Sequence, residues 1–297
     1  MPIVDGGRTT HTTLECRSVG DSLRFYRDVM GLRVGLPALG VGHLMDSKGH
    51  YAAVLQSANP GPQPFLNFYA RPVPGPAEVD AVHAEISAVR ETYDIAELTT
   101  PVHEDPARFG VASYGFYLKD LDGNWWRVED NRGRFGPCEL PSGATPRDSI
   151  VPAGPISYVA LESRSLPVSV RFYRDFLGFQ VTQPAPHYCM LTDPGGWVRV
   201  ISVEVGDRLV PQKVANHHGI TFTGDRAMID ALHERTSASA AELGLRKVFN
   251  AKHQHGAYAF YLQDADTNCW ELEVWDNGVN QVARAIEAYE QSHPAHE

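Results

Sequence analysis

The chain has 297 residues, an apolar share of 43% and a formal net charge of -10, enough apolar residues for two ordinary cores of about 150 residues each. That charge argues against binding to nucleic-acid phosphates and against a polybasic membrane contact. No apolar run approaches the ~20 residues of a spanning helix, and the start, MPIVDGGRTT, has no basic segment followed by an apolar one, so no signal peptide is expected.

In chain order, the first element is a short strand, HTTLEC at 11–16. An amphipathic helix follows, with Leu23, Tyr26, Arg27 and Met30 at helical spacing and Gly31 as its stop. YAAVLQ at 51–56 reads as a strand, and a second strand–helix–hairpin unit opens at FLNFYA, 65–70. Its helix lies in EVDAVHAEISAVRETY, 78–93, and its hairpin turns around DLDGN, 120–124, where Asp, Gly and Asn supply turn chemistry. Residues 136–154 are rich in Pro, Gly and Ser and read as a linker.

The chain then begins again. YVALES at 158–163 is a strand, Val170, Tyr173 and Gly178 mark a helix and its stop, and WVRVISVE at 197–204 is a strand. GITFTG at 219–224, a helix in RAMIDALHERTSASAAELG at 226–244, and a hairpin around DADTN at 264–268 complete the second round. RFYRD occurs at 24–28 and again at 171–175, and YGFYLKDLDGNWWRVEDN at 114–131 answers YAFYLQDADTNCWELEVWDN at 258–277. Repeats at this scale mean a duplicated architecture. The expected fold is α+β: four βαβββ modules, two in residues 8–135 and two in 155–277, with a helical tail over 278–297. The tail reads as amphipathic, with joining a homo-oligomer interface and covering the barrel as the two alternatives. Cys16, Cys138, Cys189 and Cys269 are scattered without a CxxC pair and read as buried, reduced thiols of a cytoplasmic protein.

The phrases SVRFYRDFLGF, HHGITF and FYLQDADTNCWELE, with a histidine opening the first strand, resemble the vicinal-oxygen-chelate superfamily. That group includes glyoxalases, fosfomycin- and bleomycin-resistance proteins, extradiol dioxygenases and some sugar epimerases. The resemblance implies modules paired into two open barrels, each around a possible metal site. It also implies ligands from the first strand of each module in a pair and from one last strand. The first-strand positions are His11, Phe65, Tyr158 and His218, and the last-strand positions are Arg127 and Glu271. His11, His218 and Glu271 remain as the metal-ligating types, a two-histidine, one-carboxylate set that suits Fe(II), with Mn(II) as the other metal it takes. Such a site requires the first module to pair with the fourth. A closer resemblance is to hydroquinone-cleaving dioxygenases, through His11-Thr12-Thr13, His217-His218, and Tyr261 ten residues before Glu271.

Tyr261, His217, His253, His255 and Thr13 are the further candidates for catalysis. Tyr261 and Glu271 are equidistant from Asp266 and face each other if the hairpin is symmetric. His217 points away from His218 in an ideal strand and joins its site only through a bulge or an edge. His253 and His255 flank Gln254 in a loop near the mouth, where related hydroquinone enzymes carry a basic residue in place of Gln254. Glu271 and Glu273 share a strand face, which puts Leu272 on the other; this face must be a cavity if Glu271 is a ligand. Glu129 reads as an ion-pair partner of Arg127, Arg132 or Arg134. His43, His50, His83, His103, His187 and His233 read as surface residues, and Phe25, Tyr26, Phe172 and Tyr173 as core.

The implied reaction is ring cleavage of a hydroquinone or catechol with O2 by an Fe(II) enzyme. The same residues also suit a metal-dependent isomerase, epimerase or lyase working through an enediolate. A third reading is a binding or resistance protein that holds an aromatic ligand without turning it over.

Overall fold

The computed structural model describes residues 2–4, 6–61, 63–105, 112–130, 132–135, 149–193, 195, 199–276 and 281–293. Cys138, most of the expected linker and both ends of the expected tail segment lie outside these residues. Four modules follow one another. The first holds β1 (Arg8–Cys16), α1 (Val19–Asp28), β2 (Arg33–Ala38), β3 (Val41–Met45) and β4 (Tyr51–Gln56). The second holds β5 (Phe68–Pro72), α2 (Pro76–Val89), the short β6 (Glu97–Leu98) and β7 (Val102–His103), then β8 (Tyr114–Lys119) and β9 (Trp125–Asp130), with α3 (Arg132–Phe135) after it. The third holds β10 (Tyr158–Ser163), α4 (Leu166–Arg171), β11 (Gln180–Ala185), β12 (Tyr188–Thr192) and β13 (Arg199–Glu204). The fourth holds β14 (His217–Thr221), α5 (Arg226–Ser239), β15 (Lys247–Val248), β16 (Lys252–Gln254), β17 (Ala257–Gln263) and β18 (Cys269–Trp275), and α6 (Gln281–Ser292) ends the chain.

Among the described residues the strands form two nine-stranded sheets, ordered β15-β17-β18-β14-β1-β4-β3-β2 and β11-β12-β13-β10-β5-β9-β8-β6, with β16 on β17 and β7 on β8. Neither order returns to its start, so the sheets are open. β1 pairs with β14, joining the first module to the fourth, and β10 pairs with β5, joining the third to the second. Two compact units divide the chain inside β1 and β10: Met1–Thr13 with Leu161–Asn280, and Leu14–Ala160 with Gln281–Glu297.

The two repeated phrases meet each other in space. In one unit, Ser22 of α1 donates to Asp122 at 2.6 Å, Tyr26 donates to Asp120 at 2.5 Å, and the Arg17 amide donates to Asp122 at 2.7 Å. In the other, Ser169 donates to Asp266 and the Arg164 amide reaches the same carboxylate at 2.8 Å. Each helix is thus clamped to a hairpin turn by buried hydrogen bonds to a carboxylate, the stronger kind. RFYRD and the Asp-x-Asp-x-Asn turns are scaffold. The copies differ in two ways: the Tyr173 hydroxyl makes no hydrogen bond matching that of Tyr26, and α4 ends in a π-helical turn over Phe172–Phe176, whereas α1 stays α-helical through RFYRD.

The core residues follow strand and helix periodicity. Phe25, Tyr26, Phe172 and Tyr173 are fully buried. Cys16, Cys189 and Cys269 are buried free thiols. His50 is an exception to the expectation that it lies at the surface: it is buried in the turn closed by Asp46. The tail helix α6 buries Val282 and Ile286, packs on β2 in its own unit, and Arg33 clasps Glu290 through two hydrogen bonds of 2.6 and 2.8 Å. Among the described residues no helix is long and apolar enough to cross a membrane.

Candidate functional site

In the unit built from Met1–Thr13 and Leu161–Asn280, three neighbouring strands carry one row of residues. His11 on β1 stands opposite Gly219 on β14, and Gly219 stands opposite Glu271 on β18. Tyr261 on β17 extends the row, paired with Glu271. The side-chain period of two adds His217, Thr221 and Glu273 to the same face. A bulge in β1 between Thr9 and His11 also turns Thr10 toward it, within 2.7 Å of the Thr221 hydroxyl.

The side chains converge. His11 Nε2 lies 3.1 Å and His217 Nε2 3.0 Å from Glu271 Oε2, and one donor atom from each residue falls within 4.8 Å of the others. Thr13 Oγ1 is 2.9 Å from His217 Nε2. On its other oxygen, Glu271 accepts from Gln254 at 2.7 Å, and the same amide donates to the Tyr261 hydroxyl at 2.7 Å. His255 Nε2 is 3.4 Å from that oxygen and half exposed. It sits with Gly256 in a two-residue hairpin turn, both at positive φ, 38° and 86°, a conformation that costs a non-glycine residue energy and is common at functional sites. Glu273 accepts from Thr221 at 2.7 Å on Oε1, while its buried Oε2 has no hydrogen bond.

The donor set fits a divalent cation. His217 Nδ1 is 2.9 Å from the Val214 carbonyl, so that nitrogen carries the proton. When a metal takes the place of the proton on the other nitrogen, the ring presents a lone pair at Nε2. His11 Nδ1 likewise faces the Thr10 hydroxyl at 3.2 Å and Glu273 at 3.5 Å. Two imidazole lone pairs directed at one carboxylate oxygen repel it unless a cation, proton or metal, lies among them. Fixing the far nitrogen with an oxygen partner is the usual way proteins orient a metal-ligating histidine.

The charges respond accordingly. Burial alone would raise the Glu271 carboxyl, but hydrogen bonds from His11, His217 and His255 outweigh it and hold the group well below the usual carboxylate range. Burial pushes His11 down, yet Glu273 and Glu271 together lift it above its ordinary value. Glu273 is raised, chiefly by burial. The Tyr261 phenol is raised by burial and by the Glu271 charge, which keeps it a hydrogen-bond donor.

Of the residues read from the sequence, His11, Glu271, Tyr261, Thr13 and His255 lie together here. His217 takes the place expected of His218: His218 packs on Trp270, tilted at 46° with ring centroids 5.3 Å apart, on the opposite face of the sheet from Glu271. His253 is also elsewhere, against Asp276 at 3.1 Å and the Tyr258 ring. Glu271, Leu272 and Glu273 are all fully buried, so neither face of β18 is solvated. Three contributors were not assigned roles from sequence: Gly219, Glu273 and the double donor Gln254. Glu273 was detectable by its two-residue spacing from Glu271. Gly219 and Gln254 are recognisable only from register.

The other unit carries the corresponding row with different chemistry. Tyr158 stands opposite Ala70, and Ala70 opposite Arg127; Tyr117 pairs with Arg127. Register therefore matches His11 with Tyr158, His217 with Phe68, Gly219 with Ala70, Glu271 with Arg127 and Glu273 with Glu129. Phe65, expected to hold the first-strand position, precedes β5 and packs on Tyr117 and Trp125. The Arg127 guanidinium is fully buried, 2.6 Å from Glu129 and 3.4 Å from Glu104, and lies over the Tyr117 ring. A covalently attached cation balances the carboxylates in this row.

Residues 156–272 match the family model of the Glyoxalase/Bleomycin resistance protein/Dioxygenase superfamily. No curated protein matches the chain by sequence. Among solved structures, a provisionally assigned dioxygenase from Bacillus subtilis is similar with a TM-score of 0.60 and 14% identity, over 96% of this chain and 90% of that one. Glyoxalase I from Zea mays is similar with a TM-score of 0.60 and 13% identity, over 97% of both chains. At these identities the likeness is one of fold. The family match covers the two C-terminal modules, and the N-terminal modules repeat their order of elements.

Proposed function

We propose that this protein is a member of that superfamily and a divalent-metal enzyme that isomerises, epimerises or eliminates on a small substrate bearing two adjacent oxygens, by moving a proton beside a polarised carbonyl. His11, His217 and Glu271 would hold the metal, which when bound acts as a Lewis acid toward the substrate oxygens. The observation that carries the reading is a second buried carboxylate on the same face: Glu273 is fixed through one oxygen by Thr221 and leaves the other free. A carboxylate so placed can receive a proton from a substrate carbon and return it. Gln254 holds Glu271 and Tyr261 in one orientation, and the Tyr261 hydroxyl can donate to a substrate oxygen.

A second reading is favoured by the donor set itself. Two histidines and one carboxylate with open positions suit Fe(II) and O2 chemistry, and so a ring-cleaving dioxygenase of a hydroquinone or catechol, with Mn(II) as the other metal the ligands take. Metal analysis after anaerobic purification, followed by two assays, separates the readings. Proton transfer predicts solvent deuterium entering a hydroxy-ketone or hydroxy-aldehyde under argon. Oxygen uptake with hydroquinones or catechols, without such exchange, would overturn it in favour of the dioxygenase. A protein free of metal and inactive in both assays would be a binding protein.

A further inference from the structure

The row His11–Gly219–Glu271 spans three strands, and its outer members touch although a strand lies between them. Neighbouring strands are about 4.8 Å apart, so two side chains separated by a whole strand meet only if the residue between them gives up its space. At Gly219 it does. A Cβ placed there would lie far inside contact distance of Cε1, Nδ1 and Nε2 of the His11 ring. The imidazole therefore occupies the space a side chain at Gly219 would take, and from there its Nε2 reaches Glu271 Oε2 at 3.1 Å.

The corresponding row in the other unit makes the contrast. Its middle residue is Ala70, which carries a Cβ, and its outer residues are Tyr158 and Arg127. The row with imidazole and carboxylate facing each other has glycine in the middle.

We infer that Gly219 is a positioning residue of the candidate metal centre: its missing side chain is the seat of the His11 imidazole and sets the approach of Nε2 to Glu271. The inference rests on the metal-centre reading for its functional consequence, and on packing alone for the seating itself. Gly219 is not at positive φ, and the three heavy atoms nearest to an added Cβ all belong to the His11 ring. Gly219→Ala has two outcomes for that ring: it tilts away from Glu271, or β14 moves away from β1.

The experiment has a metal-free arm and a metal-binding arm. In the metal-free wild-type protein with labelled histidine and glycine, an NOE is expected between His11 Hε1 and Gly219 Hα; the His11 signal is identified by its loss in His11→Ala. In the second arm, Mn(II) binding is measured by equilibrium dialysis for wild type, Gly219→Ala, His11→Ala and the double variant. Gly219→Ala should weaken Mn(II) by about 10–100-fold, as removal of a ligand-orienting group does. The double variant should bind no more weakly than His11→Ala, because the two changes act through one ring. A missing NOE, unchanged Mn(II) affinity in Gly219→Ala, or additive losses would each overturn the inference. If the NOE is present and His11→Ala leaves Mn(II) binding unchanged, the metal-centre reading fails while the seating of His11 stands.

Discussion

His217 and Glu271 lie on neighbouring parallel strands, and the imidazole Nε2 is 3.0 Å from the carboxylate oxygen that also faces His11. The adjacent His218 faces the opposite side of the sheet, against Trp270. One residue along the chain separates a histidine of the candidate site from one packed on Trp270, and this orders the expected effects of mutation.

His217→Ala should weaken Mn(II) or Co(II) binding by more than about 100-fold, above the range seen for groups that only orient a ligand. His218→Ala should weaken it by less than about tenfold and should act mainly on stability, through lost contact with Trp270. Equilibrium dialysis and urea unfolding of both variants check the pair. A larger loss of metal in His218→Ala would reverse the assignment.

The metal-free protein should lose stability as pH rises above neutrality. His11 is held above its ordinary value of 6.5 against the opposing effect of burial, by Glu273 and Glu271. A raised histidine contributes stability that is full below 6.5 and is lost as pH rises through its folded value. Glu271, held low, contributes stability that is present above its ordinary value of 4.5 and lost only in acid. Calorimetry in chelator should show Tm falling as pH rises above 6.5, and the fall should shrink in His11→Ala.

Arg127→Met should destabilise the protein by about 3–5 kcal/mol, because it leaves the buried carboxylate Glu129 without its cation and removes that of Glu104. Arg127→Met with Glu129→Gln should recover part of the loss. Urea unfolding measures both, and a neutral single variant would show that this row is not held by its ion pair.

Tyr26→Phe should cost about 1.5–3 kcal/mol, the range for a hydrogen bond to a charged group. The phenol donates to Asp120, whose carboxyl is pushed up to about 6 by burial despite that hydrogen bond. Catalytic constants and metal affinity should stay as they are, since this clamp belongs to the scaffold of the other unit.

The repeat of RFYRD and of the Asp-x-Asp-x-Asn turn announced the duplicated modules, because a helix and a hairpin that must lock together keep both halves of the lock. The facing of Tyr261 and Glu271 was also readable, since a turn centred on Asp266 leaves a single symmetric register. Phe65 was misplaced for a local reason: the strand starts at Phe68, past a turn that Asn67 closes onto Pro64. Gln254 could not be recognised as a double donor, because its two acceptors lie seven and seventeen residues further on and meet only across a hairpin.

By itself the sequence determined the modules, the types of side chain available to bind a cation, and the parity that separates His217 from His218. Which of the two faces Glu271 was decided by the register of β14 against β1 and β18, since a slip of one residue exchanges every side chain between the faces of a strand. That register pairs Gly219 with both His11 and Glu271. It is set by long-range strand pairing, which no local pattern in the chain encodes.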